Sequence, residues 1–252
     1  MKKEMTRLLE NCAYSAESAL NAQNGGADRV ELCSGMGEGG TTPSYGEMLA
    51  ARQVLTTTKL NVIIRPRGGD FLYTENEIEI MANDIKTARH IGADGVVFGC
   101  LTSDGDIDTL ALERLLTAAD GMSTTFHRAF DVCRDPFAAM EEIIALGFDR
   151  ILTSGQQPNA ERGIPLLRQL VDKADGRIVI MPGCGITPHN IKRIAVETGA
   201  TEFHASARKT IGSLMTFRNE AVSMGGNGAD EYARSITDTE TIKQLKTIIT
   251  NL

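Results

Sequence analysis

The chain has 252 residues, 42% of them apolar and 5% aromatic, with no Trp. A large core must therefore come from Ile, Val, Leu, Met and Ala, as in layered sheet-and-helix folds. The formal net charge of −7 argues against nucleic acid as a partner, because gripping phosphates needs a basic surface.

Strand and helix patterns alternate along the chain. A strand over Leu8–Cys12 leads into a helix over Ser15–Asn24. The phrase Gly-Gly-Ala-Asp-Arg-Val-Glu-Leu at 25–32 follows, and related phrases return at 92–99, 147–154 and 199–206. In each, a Gly suits the left-handed residue after a helix, and the apolar run after it suits a buried strand. Three more strands are predicted over Leu60–Arg65, Thr124–Arg128 and Arg177–Met181, making eight. The helices between them are predicted over Pro43–Leu55, Glu75–Ile91, Thr109–Ala119, Pro136–Leu146, Gly163–Lys173 and Pro188–Thr198, with a last one over Thr237–Thr250. Thr42-Pro43, Asp135-Pro136 and Thr187-Pro188 each read as an N-cap followed by Pro at the first helical position. Residues from about 211 to 235 fit no repeat unit, and Met224-Gly225-Gly226-Asn227-Gly228 reads as a long, mobile loop.

Eight alternations imply parallel strands joined by right-handed crossovers. Regular spacing, and the lack of G-x-G-x-x-G after the first strand, favour a closed barrel over a dinucleotide-binding sheet. The expected architecture is an α/β, (β/α)8 TIM-like barrel, with residues 1–252 as a single domain. No run of about 18 apolar residues suggests a membrane span. No signal-peptide apolar stretch follows the basic start, and five cysteines, an odd number, read as reduced cytosolic thiols.

Barrel interiors are normally filled by branched apolar residues. Here Glu10 and Cys12, Glu31 and Cys33, Arg65 and Arg67, His127, Thr153-Ser154, and His204 with Ser206 fall near strand C-terminal ends. A barrel would gather them at one mouth, where such folds keep active sites. Glu10, Glu31, Arg65 and Arg67 suit either a binding site or a structural ion network. His127 with Asp131 suits a general acid or base with its orienting carboxylate, or a hydrogen-bonded wall residue. Gly183 and Gly185 after strand seven, with Ser206 and Arg208 after strand eight, suit a phosphate site or tight turns that require Gly. The two arginines beside Gly-rich loops favour a small anionic ligand. No G-x-S-x-G, H-E-x-x-H or Schiff-base lysine is evident.

Cys12 and Cys33 end adjacent strands, which lie about 4.7–4.9 Å apart, so the pair suits either a soft ion such as Cu(I) or a buried core. Cys100, Cys133 and Cys184 carry no partner pattern.

Motifs spread along the chain resemble the CutC family, named for copper homeostasis. They are Gly-Gly-Ala-Asp-Arg-Val-Glu-Leu-Cys-Ser-Gly at 25–35, Glu-Gly-Gly-Thr-Thr-Pro-Ser at 38–44, Ile-Arg-Pro-Arg-Gly-Gly-Asp-Phe at 64–71, and Thr-Phe-His-Arg-Ala-Phe-Asp at 125–131. Ile-Leu-Thr-Ser-Gly at 151–155, Met-Pro-Gly-Cys-Gly-Ile at 181–186 and Phe-His-Ala-Ser at 203–206 complete the set. The resemblance implies a TIM-like barrel and a cytoplasmic homo-oligomer, a dimer or tetramer, with Cu(I) held at the positions of Cys12 and Cys33. Cys184 departs from the family pattern, which has Gly there in many members. Two functions follow as expectations: a copper-handling protein using the cysteine pair, and an enzyme acting on a small anionic or phosphorylated metabolite through Glu10, Glu31, Arg65, Arg67, His127 and Asp131.

Overall fold

A computed structural model describes residues 6–219, 221–222 and 230–252. Eight strands form one parallel sheet: β1 (Leu8–Ala13), β2 (Arg29–Leu32), β3 (Lys59–Ile63), β4 (Gly95–Phe98), β5 (Ser123–Phe126), β6 (Arg150–Thr153), β7 (Val179–Pro182) and β8 (Glu202–Ala205). Their order is β7-β6-β5-β4-β3-β2-β1-β8, and β7 and β8 lie side by side, so the sheet curls into a nearly closed (β/α)8 barrel. The helices are α1 (Ala16–Asn24), α2 (Tyr45–Val54), α3 (Glu75–His90), α4 (Thr109–Ala118), α5 (Pro136–Ala145), α6 (Ile164–Ala174), α7 (Ile191–Thr198) and α8 (Thr239–Thr250).

The alternation of each strand divides its side chains between two environments. Leu9, Val30, Leu60, Val62, Val96, Phe98, Phe126, Ile151 and Phe203 join the main apolar core with helix residues such as Met48, Ile85, Leu112, Leu167 and Leu245. The intervening positions hold Glu10, Cys12, Arg29, Glu31, Arg150, Glu202 and His204, all buried. Cys12, Cys33 and Ile63 form a separate small cluster against Tyr14.

Helix starts depend on side-chain oxygens that accept the first free N–H groups. Ser15, Asp108, Asp135 and Asp238 do this for α1, α4, α5 and α8, and Thr74 with Glu77 forms a capping box on α3. Pro136 holds the first turn of α5, as its sequence implies. Two predicted starts shift. Thr42 accepts from the Arg65 N–H at 2.9 Å and so ties its loop to the end of β3, leaving Ser44 to cap α2. Thr187-Pro188 forms a separate turn, in which Asn190 Oδ1 accepts from the Thr187 N–H at 2.8 Å, and α7 begins at Ile191.

The stretch predicted as one long loop contains structure. β9 (Arg208–Gly212) and β10 (Ala233–Thr237) pair antiparallel beside the barrel. The glycine-rich run 224–228 lies outside the described residues. Among the described residues, no helix is long and apolar enough to cross a membrane.

Candidate functional site

Strand register sets the polar interior. In the β1–β8 pair Glu10 lies opposite His204, and in the β1–β2 pair Cys12 lies opposite Glu31 and Glu10 opposite Arg29. Neighbouring strands therefore bring their interior side chains together in layers. Deepest is an ion network: Arg29 pairs with Glu10 and, at 2.6 Å, with Glu202, and Arg150 reaches Glu202 at 3.2 Å. Burial alone would raise the Glu10 carboxyl, but Arg29 and then His204 hold it well below the usual carboxylate range.

Above this lies His204. Its Nδ1 sits 2.8 Å from Glu10 Oε1, and its Nε2 3.5 Å from Glu31 Oε2. Burial opposes its charge, yet Cys12, Glu10 and Glu31 raise the imidazole well above its ordinary range. Burial pushes Glu31 up to about 8, with Cys12 and Glu10 adding to the effect against the pull of His204. Glu31 Oε1 is buried and has no hydrogen-bond partner among the described residues.

The cysteine pair comes next. Cys12 Sγ and Cys33 Sγ are 3.6 Å apart, and both residues are buried. The Cys33 thiol, donating to Cys12, is the main reason Cys12 is held well below the usual thiol range; burial works against this, and His204 and Tyr14 support it. Burial, then the proximity of Cys12, raises Cys33 well above that range. Cys12, Cys33 and Glu31 each offer a ligand atom, all within 4.8 Å of one another.

A cavity of about 210 Å³ opens over this layer at the C-terminal ends of the strands. Cys12, Glu31 and His204 reach it from the barrel. His127 and Phe71 form one wall, their ring centroids 4.9 Å apart. Burial, with Arg65 nearby, lowers His127 to about 3, so its imidazole is neutral. Gly185, Ser206, Arg128 and Arg208 also line the cavity.

Several sequence-derived expectations change in this geometry. Arg65 borders the cavity, but its guanidinium donates to the carbonyls of Glu38, Gly40 and Gly69 at 2.6, 2.9 and 2.8 Å. It therefore organises loops, and Glu10 and Glu31 do not neutralise it. Arg67 does not line the cavity: it pairs with Glu77 and Asp70 and lies over the Tyr73 ring. The chain leaves the sheet after Ile63, so strand alternation no longer determines where these two side chains point.

Asp131 does not orient His127. It accepts from Thr153 Oγ1 at 2.5 Å and from the N–H groups of Ser154 and Gln156 at 2.9 and 3.2 Å, and it pairs with Arg128. His127 Nδ1 accepts instead from the Ala129 N–H at 3.3 Å. Gly183 does not line the cavity, and a Cβ there would come 2.4 Å from Leu152 Cδ1. Cys184 adopts φ 71°, a left-handed conformation natural to glycine. Its thiol donates to the Pro158 carbonyl at 3.3 Å.

Arg128, Phe71 and Tyr14 escaped the sequence reading. Arg128 sits next to His127 in the quoted motif, but nothing in the local pattern indicates that the chain turns there and points it at the mouth.

The sequence profile described as the CutC family matches residues 7–209, which span all eight barrel strands and every residue lining the cavity. The chain belongs to the CutC family. A Bacteroides fragilis family protein CutC is 59% identical over 97% of this chain and 97% of its own length. The human copper homeostasis protein cutC homolog is 50% identical over 97% of this chain and 90% of its own. The crystal structure of CutC from Streptococcus agalactiae superposes with a TM-score of 0.77 at 40% identity, covering 80% of this chain and 99% of that one. The resemblance read from the motifs is thus a family membership, and the barrel is the family fold.

Proposed function

We propose that this CutC-family chain takes part in copper homeostasis by holding Cu(I) between Cys12 and Cys33. The observation that carries the reading is the 3.6 Å separation of two buried sulfurs at the base of a cavity. Paired thiolates select soft ions, whereas Mg²⁺ and Ca²⁺ prefer oxygen ligands. Glu31, with a buried oxygen that has no partner among the described residues, is the available third ligand.

Cu(I) held by two thiolates carries a single negative charge beside the His204 imidazolium. Arg67 does not line the cavity, and Arg65 is engaged by carbonyls, which lessens their repulsion of a bound cation. The Cys33 proton must leave on binding, so affinity falls with falling pH. A reducing cytoplasm suits free thiols.

The test is competition with a Cu(I) chelator under reducing conditions. Uptake of about one ion per chain is expected, and its loss in Cys12→Ser or Cys33→Ser. Unchanged Cu(I) affinity in the double variant would reject the assignment.

A further inference from the structure

The cavity above the cysteines contains polar groups that a soft ion does not use. His127 is the most telling. Because its Nδ1 accepts from the Ala129 N–H, that nitrogen is unprotonated. The ring is neutral, so its proton sits on Nε2. Nε2 is buried and has no acceptor among the described residues, and His127 lines the cavity. An unsatisfied buried donor is costly, so a ligand oxygen placed there would recover free energy.

The cavity rim supplies positive charge. Arg128 uses Nε on Asp131 and Nη2 on Ser154. The guanidinium of Arg208 lies over the Tyr14 ring at 5.9 Å and makes no hydrogen bond or ion pair among the described residues. Both line the cavity with the Ser206 hydroxyl residue and Gly185.

We propose that this cavity binds a small organic anion bearing a carbonyl or hydroxyl oxygen near its acid group. The acid group pairs with Arg208 and Arg128, and the second oxygen accepts from His127 Nε2–H. A volume of about 210 Å³ suits a compact metabolite. Arg65, the anion partner expected from sequence, instead holds the cavity wall through the Gly40 and Gly69 carbonyls.

Calorimetry on the metal-free chain would use pyruvate and glycerol 3-phosphate as two-ended probes, one a carboxylate and one a phosphate, with inorganic phosphate as the one-ended control. At least one two-ended probe should bind at millimolar concentration or below, and about ten-fold more tightly than its one-ended control or, for pyruvate, than propionate. Arg208→Gln should weaken it about ten-fold or more. His127→Phe should remove the advantage of the two-ended probe, while Cys33→Ser, at a residue that does not line the cavity, should leave it intact. That last result separates this site from Cu(I) binding. Thermal melts verify folding, and His127→Gln replaces His127→Phe if the latter is unfolded. No binding of any probe at about 10 mM, or affinities unchanged in the Arg208 and His127 variants, would overturn the proposal.

Discussion

His127 and His204 share one barrel but hold opposite charge states. His204 hydrogen-bonds Cys12 and Glu10 and lies beside Glu31, and these contacts outweigh the cost of burial. His127 packs against Phe71 and Phe126 with Arg65 nearby, so burial and repulsion keep it neutral. The sign of the stability effect follows. From pH 6.5 down to about 3 the unfolded chain binds a proton at His127 that the native chain refuses. This contribution is complete above pH 6.5 and lost as the pH falls through that interval. Chemical denaturation across the interval should show His127→Gln losing less stability on acidification than the parent chain, by an order of a few kcal/mol. Parallel pH profiles would show that His127 titrates normally in the native state.

Between the strands and helices, one carboxylate secures a whole connection. Asp131 lies in the 3-10 turn Arg128–Val132 and accepts from the backbone and hydroxyl groups that begin the loop after β6. That loop adjoins Gly163, where a Cβ would sit 1.8 Å from the Ser154 carbonyl oxygen, so the approach to α6 leaves no slack. Asp131→Ala should strand buried N–H groups and cost roughly 1–3 kcal/mol or more in denaturant unfolding. Cu(I) stoichiometry should persist, because Asp131 touches neither cysteine; loss of copper at full stability would contradict this positioning role. Asp131 follows His127 by four residues in sequence, a proximity that says little once the intervening residues form a tight turn.

At the scale of the whole molecule, we propose that the chain self-associates through the segment after β9. Leu214 is 98% exposed and Phe217 75%, with Met215 and Val222 also open, and apolar side chains left in water this way gain free energy when a second copy covers them. Light scattering should report a dimer or tetramer that Leu214→Ser with Phe217→Ser shifts toward single chains; a parent chain of single-chain mass would exclude it. The sequence alone determined the repeating β/α order, and with it the barrel, because period-2 apolar runs between capped helices allow few other arrangements. It also exposed Glu10, Cys12, Glu31 and His204, since polar residues interrupt an otherwise apolar strand period at those positions. Arg29, Arg150 and Glu202 stayed hidden because each begins its strand beside a polar turn, where charge is unremarkable. Tertiary structure alone decided the partners: Glu10 with Arg29 and His204, Asp131 with the β6 loop, and Arg65 with loop carbonyls. Alternation specifies which face of a strand a residue occupies, but only the register between strands and the path of the loops beyond them determine which charge it meets.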